Sequence, residues 1–416
     1  MPEVVSREGD LRDGRVELRV PTPFGRARWV AQHRGYVEGV SFEDEQVEGP
    51  FASWVHRHRF EPLDDARCAL TDDIAYALPM GGVGRFFGGG SVRDDLATMF
   101  AFRHARTRND LVRHTEFAGP KLHVAVTGAT GLVGRALVAF LRTGGHRVST
   151  LVRRAARAKD EIAWDPPAGT VDLAALEGLD ALVHLAGENV GARWTDRRKA
   201  AVMSSRVDGT RTLAKAIATL SSPPRVWVSA SAIGYYGDTG DREVDEEAPP
   251  GSGFLADVCR AWEAEALPAE GRTRLVRTRI GVVLTAEGGA LAEMSAPIRK
   301  GVGGVVGDGK QWMSWVSRDD VIASILWAIR SEKVVGPLNL VAGCVTNRDL
   351  TKAIGAVLSR PTFMPVPGAM IRAMFGEMGK QVLLAGQRVA PRRLRDGGFR
   401  FDFPDLERLL RFEFGR

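Results

Sequence analysis

Three glycines at a spacing of three, Gly128, Gly131 and Gly134, stand between an apolar run, Val124 to Thr127, and a segment of helical period, Arg135 to Leu141. A strand that turns sharply into a helix leaves main-chain N–H groups unpaired at the helix start, beside the positive end of the helix dipole. Together they attract a pyrophosphate. Gly128 allows the tight turn, Gly131 the close approach of phosphate, and Gly134 the close packing of helix on strand. Ala129, Thr130, Leu132 and Val133 complete the cradle. The chemistry predicted is dinucleotide binding; the turn alone supplies no reaction.

The next strand ends Leu151-Val-Arg-Arg154. Dinucleotide-binding proteins that prefer NAD place an acidic residue here for the ribose 2′-OH. Arg153 and Arg154 instead suit a 2′-phosphate, which arginine binds bidentately. NADP(H) is therefore expected, with NAD(H) as the other possibility and a plain exposed basic loop as the alternative. A further strand ends Leu185-Ala186-Gly187, where backbone approaches the adenine side of the cofactor. His184 within it reads as a hydrogen-bonded core histidine.

In Trp54-Val-His-Arg-His-Arg-Phe60, period two puts Trp54, His56, His58 and Phe60 on one face. No third ligand is identifiable at a supporting spacing, so no metal site is assigned. The face is expected to line a cavity or to pack against the following helix.

The elements that must hold these residues fall into three regions. Residues 1–118 show strand character at Val16 to Val20, Ala27 to Gln32, Gly49 to Phe60 and Ala66 to Leu78, then a helix over Ser91 to Arg106. This predicts an antiparallel sheet followed by a helix, an α+β arrangement. Residues 121–345 alternate strands and helices. His123–Thr127, Arg147–Val152, Ala181–Ala186, Val226–Ser231, Arg274–Thr278 and Pro337–Val341 are the strands. That alternation predicts a Rossmann-type, doubly wound parallel sheet in an α/β domain. Asp319 and Asp320 are read as capping a helix over Val321–Arg330 rather than as an acid/base pair. The loop Gly301–Gly309, beside Gln311, Trp312 and Trp315, is read as a substrate-side flap, with a simply flexible loop as the alternative. Residues 346–416, broken by Pro361, Pro365, Pro367 and Pro391, form a small helical subdomain.

The chain has 416 residues, 44% hydrophobic and 26% charged, as for an ordinary soluble protein. No run of apolar residues is long enough to span a membrane, and the polar start does not read as a signal peptide. Three isolated cysteines suggest reduced thiols and a cytoplasmic protein. Residues 360–416 carry eleven Lys/Arg against six Asp/Glu. Their phenylalanines are spaced for packing, so a solvated basic face is expected, with no nucleic-acid partner.

The segment 121–345 resembles the extended, epimerase-like short-chain dehydrogenase/reductase superfamily. The resemblance lies in Thr127-Gly-Ala-Thr-Gly-Leu-Val-Gly134, His184-Leu-Ala-Gly187, Ser229-Ala-Ser231 with Tyr235-Tyr-Gly-Asp238, and Trp315 to Val321. Glu188-Asn-Val, Arg193-Trp-Thr195, Ser205-Arg206 and Gly303-Gly304 narrow it to the NAD-dependent epimerases that include cell-division-inhibitor homologues. The tail, through Met364-Pro-Val-Pro and Gly386 to Leu394, resembles the uncharacterised C-terminal domain of that group. Residues 1–118 resemble the START-like (SRPBCC, helix-grip) superfamily through Gly49 to Phe60, Leu70 to Pro79 and Met99 to Arg103. That likeness implies an apolar ligand.

The superfamily resemblance implies a small-molecule substrate, with Ser229 beside the cofactor and Ser231 holding the substrate oxygen. Its usual Tyr-x-x-x-Lys pair would fall at Phe254 and Val258, neither of which can move a proton. Tyr235 or Tyr236 is then the expected acid, with Lys199 or Arg206 supplying positive charge. Two alternatives stand beside it: substrate or water provides the proton, or the domain binds NADP(H) without turnover.

Overall fold

The computed structural model describes residues 3–22, 25–65, 67–79 and 81–416. It divides into two units, Met1–Ala101 and Phe102–Arg416. In the first, strands β1 (Glu3–Glu8), β2 (Arg15–Thr22), β3 (Gly25–Val37), β4 (Ser41–Glu48), β5 (Ser53–Asp64) and β6 (Arg67–Ala77) pair in chain order. Every pairing is antiparallel. Helix α1 (Gly81–Glu116) follows and is longer than its expected core. Strands β1 and β4 were not legible. β4 reads Ser-Phe-Glu-Asp-Glu-Gln-Val-Glu, and its acidic residues are held in a strand by pairing on both sides rather than by propensity. Ala66, the first residue of the expected last strand, lies outside the described residues. On β5, Trp54, His56 and His58 are buried while Arg57 and Arg59 are exposed, as period two requires.

The second unit opens with β7 (His123–Thr127), α2 (Leu132–Thr143), β8 (Arg147–Val152), β9 (Glu161–Asp165), β10 (Thr170–Val171) and β11 (Ala181–His184). It continues with α3 (Asp196–Thr219), β12 (Val226–Ala232), β13 (Glu243–Val244), α4 (Phe254–Ala266), β14 (Arg274–Ile280) and β15 (Val282–Leu284). Then come α5 (Gly289–Arg299), β16 (Trp312–Ser317), α6 (Arg318–Arg330), β17 (Gly336–Leu340), β18 (Gly343–Thr346) and α7 (Asn347–Leu358). Last are α8 (Gly368–Met378), β19 (Arg388–Val389), α9 (Arg392–Asp396) and α10 (Leu406–Phe414).

The main sheet has the order β10-β9-β8-β7-β11-β12-β14-β17, and only β10 runs antiparallel to its neighbour. One face packs Leu137, Leu141, Ile325 and Leu326 of α2 and α6; the other packs Leu213, Ile217 and Ala266 of α3 and α4. The sheet is thus doubly wound, and its order reverses between β7 and β11, where ligands of open α/β sheets bind. Among the described residues no helix is long and apolar enough to cross a membrane.

Helix α6 starts earlier than expected, and its cap is Ser317 rather than the aspartates. Ser317 Oγ accepts from Asp320 N at 2.8 Å and donates to Asp320 Oδ2 at 2.7 Å. Asp320 also accepts from the N–H groups of Asp402 (2.6 Å) and Phe403 (3.2 Å), tying the tail to the helix. Burial pushes its carboxyl up to about 7, against the pull of Ser317 and these N–H groups. The native state therefore holds a proton that the unfolded chain releases from about pH 4 upward. Asp320's contribution is full below that pH and is lost as pH rises towards 7. His146 and His184, pushed down by burial to about 4 and about 3, act oppositely, losing stability as pH falls below about 6.5. The difference between wild type and D320N isolates the effect. Urea midpoints at pH 5 and pH 8 are expected to show a smaller alkaline loss in D320N, at the cost of one acceptor. An equal loss in both proteins would remove the assignment.

Candidate functional site

The turn after β7 has the geometry that its glycines predict. Gly128 has φ +66°, and a Cβ there would meet the Leu185 carbonyl carbon and oxygen at 2.8 Å. A Cβ on Gly134 would lie 2.1 Å from Gly128 O, whereas one on Gly131 would meet only that oxygen, at 3.2 Å. Gly131 is the N-cap of α2, and no side chain caps the helix. Thr130 and Gly131 are exposed at the rim, and Gly134 is buried beneath. An uncapped helix start beside a turn with no room for side chains fits a dinucleotide pyrophosphate.

Thr127 organises this turn, a role the sequence did not disclose. Its hydroxyl lies 2.7 Å from His184 Nδ1 and accepts from the N–H groups of Leu185 (3.0 Å) and Ala186 (3.2 Å). Thr127 and His184 are fully buried, and the neutral imidazole is held by the hydroxyl, as a core histidine should be. Leu185 and Ala186 are half-buried and Gly187 is exposed. Arg206 closes the same segment: its Nη1 donates to Glu188 O at 3.0 Å and Val202 O at 3.2 Å, and the guanidinium lies 5.0 Å from the Trp262 ring centre. Thr127→Val should leave two main-chain donors unpaired. The expected loss is about 1–3 kcal/mol, read by urea unfolding, together with weaker dinucleotide binding. A variant as stable as wild type would contradict this role.

Arg153 and Arg154 are both exposed, but they are not equivalent. Arg154 forms a fork with Glu161 (2.8 and 2.6 Å), and Glu161 is pulled down to about 2 by that contact and by the Arg157 N–H.

On β12, Ser229 and Ser231 are buried within the sheet. Ser231 Oγ donates to Glu263 Oε1 at 2.7 Å, and Glu263 also pairs with Arg279 through contacts of 2.8 and 2.9 Å. Arg279 Nη1 donates to the Tyr236 hydroxyl at 2.9 Å, which donates to Asn339 Oδ1 at 2.7 Å. Tyr236 is 2% exposed, and burial pushes its phenol up to about 12. Burial opposes the Arg279 charge, but Glu263 more than offsets it and the guanidinium pKa is raised. Tyr235 is half-buried, and its ring centre lies 3.5 Å from Arg279 Cζ. The positive charge at the two tyrosines is therefore Arg279, not Lys199 or Arg206. Lys199 instead pairs with Glu377 at 2.8 Å and sits 4.7 Å from the centre of the Phe254 ring, which also meets Trp194 edge-on. Val258 is buried in α4. Glu263, Arg279 and Asn339 were missed, although Arg277-Thr-Arg279 inside a central parallel strand was a signal, because such strands are otherwise apolar.

The Gly301–Gly309 loop is bound to the tail. Gly307 N donates to Val366 O at 2.9 Å and Val366 N to Val305 O at 2.8 Å. Gln311 Nε2 donates to Val306 O (3.0 Å) and Leu383 O (2.9 Å), and Trp312 Nε1 to Asp241 Oδ1 (2.9 Å). Trp315, beside the loop in sequence, is a core residue at 2% exposure.

With this geometry in hand, comparison with known proteins gives a consistent result. The NAD dependent epimerase/dehydratase family matches residues 124–343, and a domain of unknown function, DUF1731, matches 366–413. An epimerase family protein of Mycobacterium leprae is 40% identical over 287 residues, 68% of this chain and 93% of its own length. The crystal structure of human epimerase family protein SDR39U1 (isoform 2) with NADPH is 36% identical with a TM-score of 0.65, covering 70% of this chain and 99% of that one. A nucleoside-diphosphate sugar epimerase from Corynebacterium glutamicum is 33% identical with a TM-score of 0.80, over 100% of this chain and 83% of its own. The chain belongs to the NAD dependent epimerase/dehydratase family.

Proposed function

We propose that this chain binds NADP(H) over the Gly128–Gly134 turn and acts as an epimerase-like oxidoreductase on a small substrate bearing a hydroxyl or carbonyl carbon. The observation that carries the reading is the uncapped start of α2 beside a turn where Gly128 and Gly134 leave no room for a Cβ. When bound, the nicotinamide supplies hydride exchange with that carbon. The NADPH in the human relative supports the phosphorylated cofactor. Arg153 is the residue proposed to meet the 2′-phosphate, since Glu161 already engages Arg154. Fluorescence titration of the full chain with NADPH should saturate; failure to do so would end the proposal. R153A is expected to weaken NADPH about tenfold and NADH little, roughly 1.4 kcal/mol of discrimination. Equal effects on the two cofactors would remove Arg153 from the site.

For proton transfer, Phe254 and Val258 leave Tyr235 as the proposed substrate-facing acid, with Arg279 beneath its ring. Ser231 and Tyr236, each committed to buried partners, are proposed to position it. A second reading, dinucleotide sensing without turnover, is favoured by the contact of Lys199 with Phe254, which puts a cation on an inert ring. Transfer of label from C4-deuterated NADPH to any of a panel of carbonyl compounds and nucleotide sugars would exclude it. For residues 1–118, the aromatic cluster of Trp29, Phe51, Trp54 and Tyr76 supports a START-like site for an apolar ligand. Saturable displacement of a hydrophobic probe from the full chain is the matching test.

A further inference from the structure

A separate set of ligating side chains lies in the first unit, on the face of β5 that local sequence left without a third ligand. Strand register brings the others. Asp44 on β4 stands opposite His33 on β3 and His56 on β5, and Asp72 on β6 stands opposite His58. One ligating atom each from Asp44, His56 and His58 lie within 4.8 Å of one another. His56 and His58 are 7% and 3% exposed. Asp72 Oδ1 is 3.0 Å from His56 Nε2 and 2.7 Å from His58 Nδ1. The Asp44 carboxylate lies 3.2 Å from His58 Nε2 and 2.6 Å from His33 Nδ1.

Both ring nitrogens of His58 therefore face carboxylates, while a neutral imidazole has only one N–H. His56 Nε2 with Asp72 Oδ1 and His58 Nε2 with Asp44 Oδ2 form hydrogen bonds, but His58 Nδ1, His33 Nδ1 and Asp44 Oδ1 are buried without one. Three buried polar atoms left without a hydrogen bond inside one His/Asp cluster suit a shared cation, because leaving them unsatisfied is costly. We propose that Asp44, His56 and His58 bind a divalent first-row transition cation of the zinc type, with Asp72 orienting the rings. Two imidazoles and a carboxylate suit Zn²⁺ or Co²⁺ and not Mg²⁺ or Ca²⁺, which take oxygen donors. Phe42, stacked on His58 at 4.2 Å, and Phe100, edge-on to His56 at 5.5 Å, supply an apolar surround. Asp44 keeps 25% of its side chain in solvent, against 3% for Asp72, so the cation enters from the β4 side, where His33 or water completes the shell.

The test uses the untagged full chain, stripped with chelator and titrated with Co²⁺. The expected result is about one Co²⁺ per chain with visible d–d bands, displaced by Zn²⁺ and abolished in H58Q and D44N. D72N removes no ligand and should weaken Co²⁺ about 10–100-fold with shifted bands, which decides the matter if H58Q does not fold. The control H114Q, whose imidazole contacts Thr143 and Phe140 in the second unit, should bind as wild type does. Absence of Co²⁺ uptake by wild type overturns the proposal, as does uptake that survives in H58Q and D72N or disappears in H114Q.

Discussion

Glu263→Ala is expected to cost the fold about 3–5 kcal/mol, the largest single-residue loss in the second unit. Glu263 and Arg279 are 5% and 3% exposed, so removing the carboxylate strands a guanidinium where water cannot reach it. The same change deprives Ser231 of its acceptor and loosens the cation beneath Tyr235. Replacing both charges, as in E263L/R279M, removes the more deeply buried ion and should recover part of the loss, while Arg277, 3.5 Å from Glu263 and 19% exposed, keeps its charge without that partner. Urea unfolding of the two singles and the double closes a mutant cycle. A cost below about 1 kcal/mol for E263A would mean that the pair is solvated.

The second large effect separates binding from folding within one turn. G131A adds a methyl at the exposed rim, where only Gly128 O is near, at 3.2 Å. It should remain about as stable as wild type while NADPH weakens at least about a hundredfold, or about 2.7 kcal/mol, since the methyl occupies the phosphate approach. G134A puts its methyl 2.1 Å from a main-chain oxygen and cannot be accommodated without moving the turn. Both NADPH binding and thermal stability should fall. G128A is expected between them, strained at φ +66°. NADPH titration beside thermal melts reads all three. Normal affinity in G131A would place the phosphate elsewhere.

What was legible in the sequence is what depends on neighbours along the chain. β7 and β8 run over His123–Thr127 and Arg147–Val152, as the apolar runs predicted, because a strand buried on both faces must be apolar throughout. The glycine turn was legible for the same reason, since strand, turn and helix are contiguous. β9 and β10 were not: their five and two residues lie at the sheet edge, where little apolar pattern is needed. Nor was the partner of Ser231, which comes from a helix 32 positions away. The Asp44–His56 and His58–Asp72 neighbours are likewise set by cross-strand register, which nothing local to β5 encodes.

The main-chain pairing of Val305 and Gly307 with Val366 has a consequence for inheritance. Gly304 lies against Met364 O so closely that a Cβ would come within 1.7 Å of it. An insertion in the 301–309 loop therefore displaces the tail, and a tail exchanged with that of a relative leaves the Gly307 N–H and the Val305 carbonyl unpaired. In chimaeras the two segments should be transplanted together. Parents that have drifted apart in one should have drifted in the other.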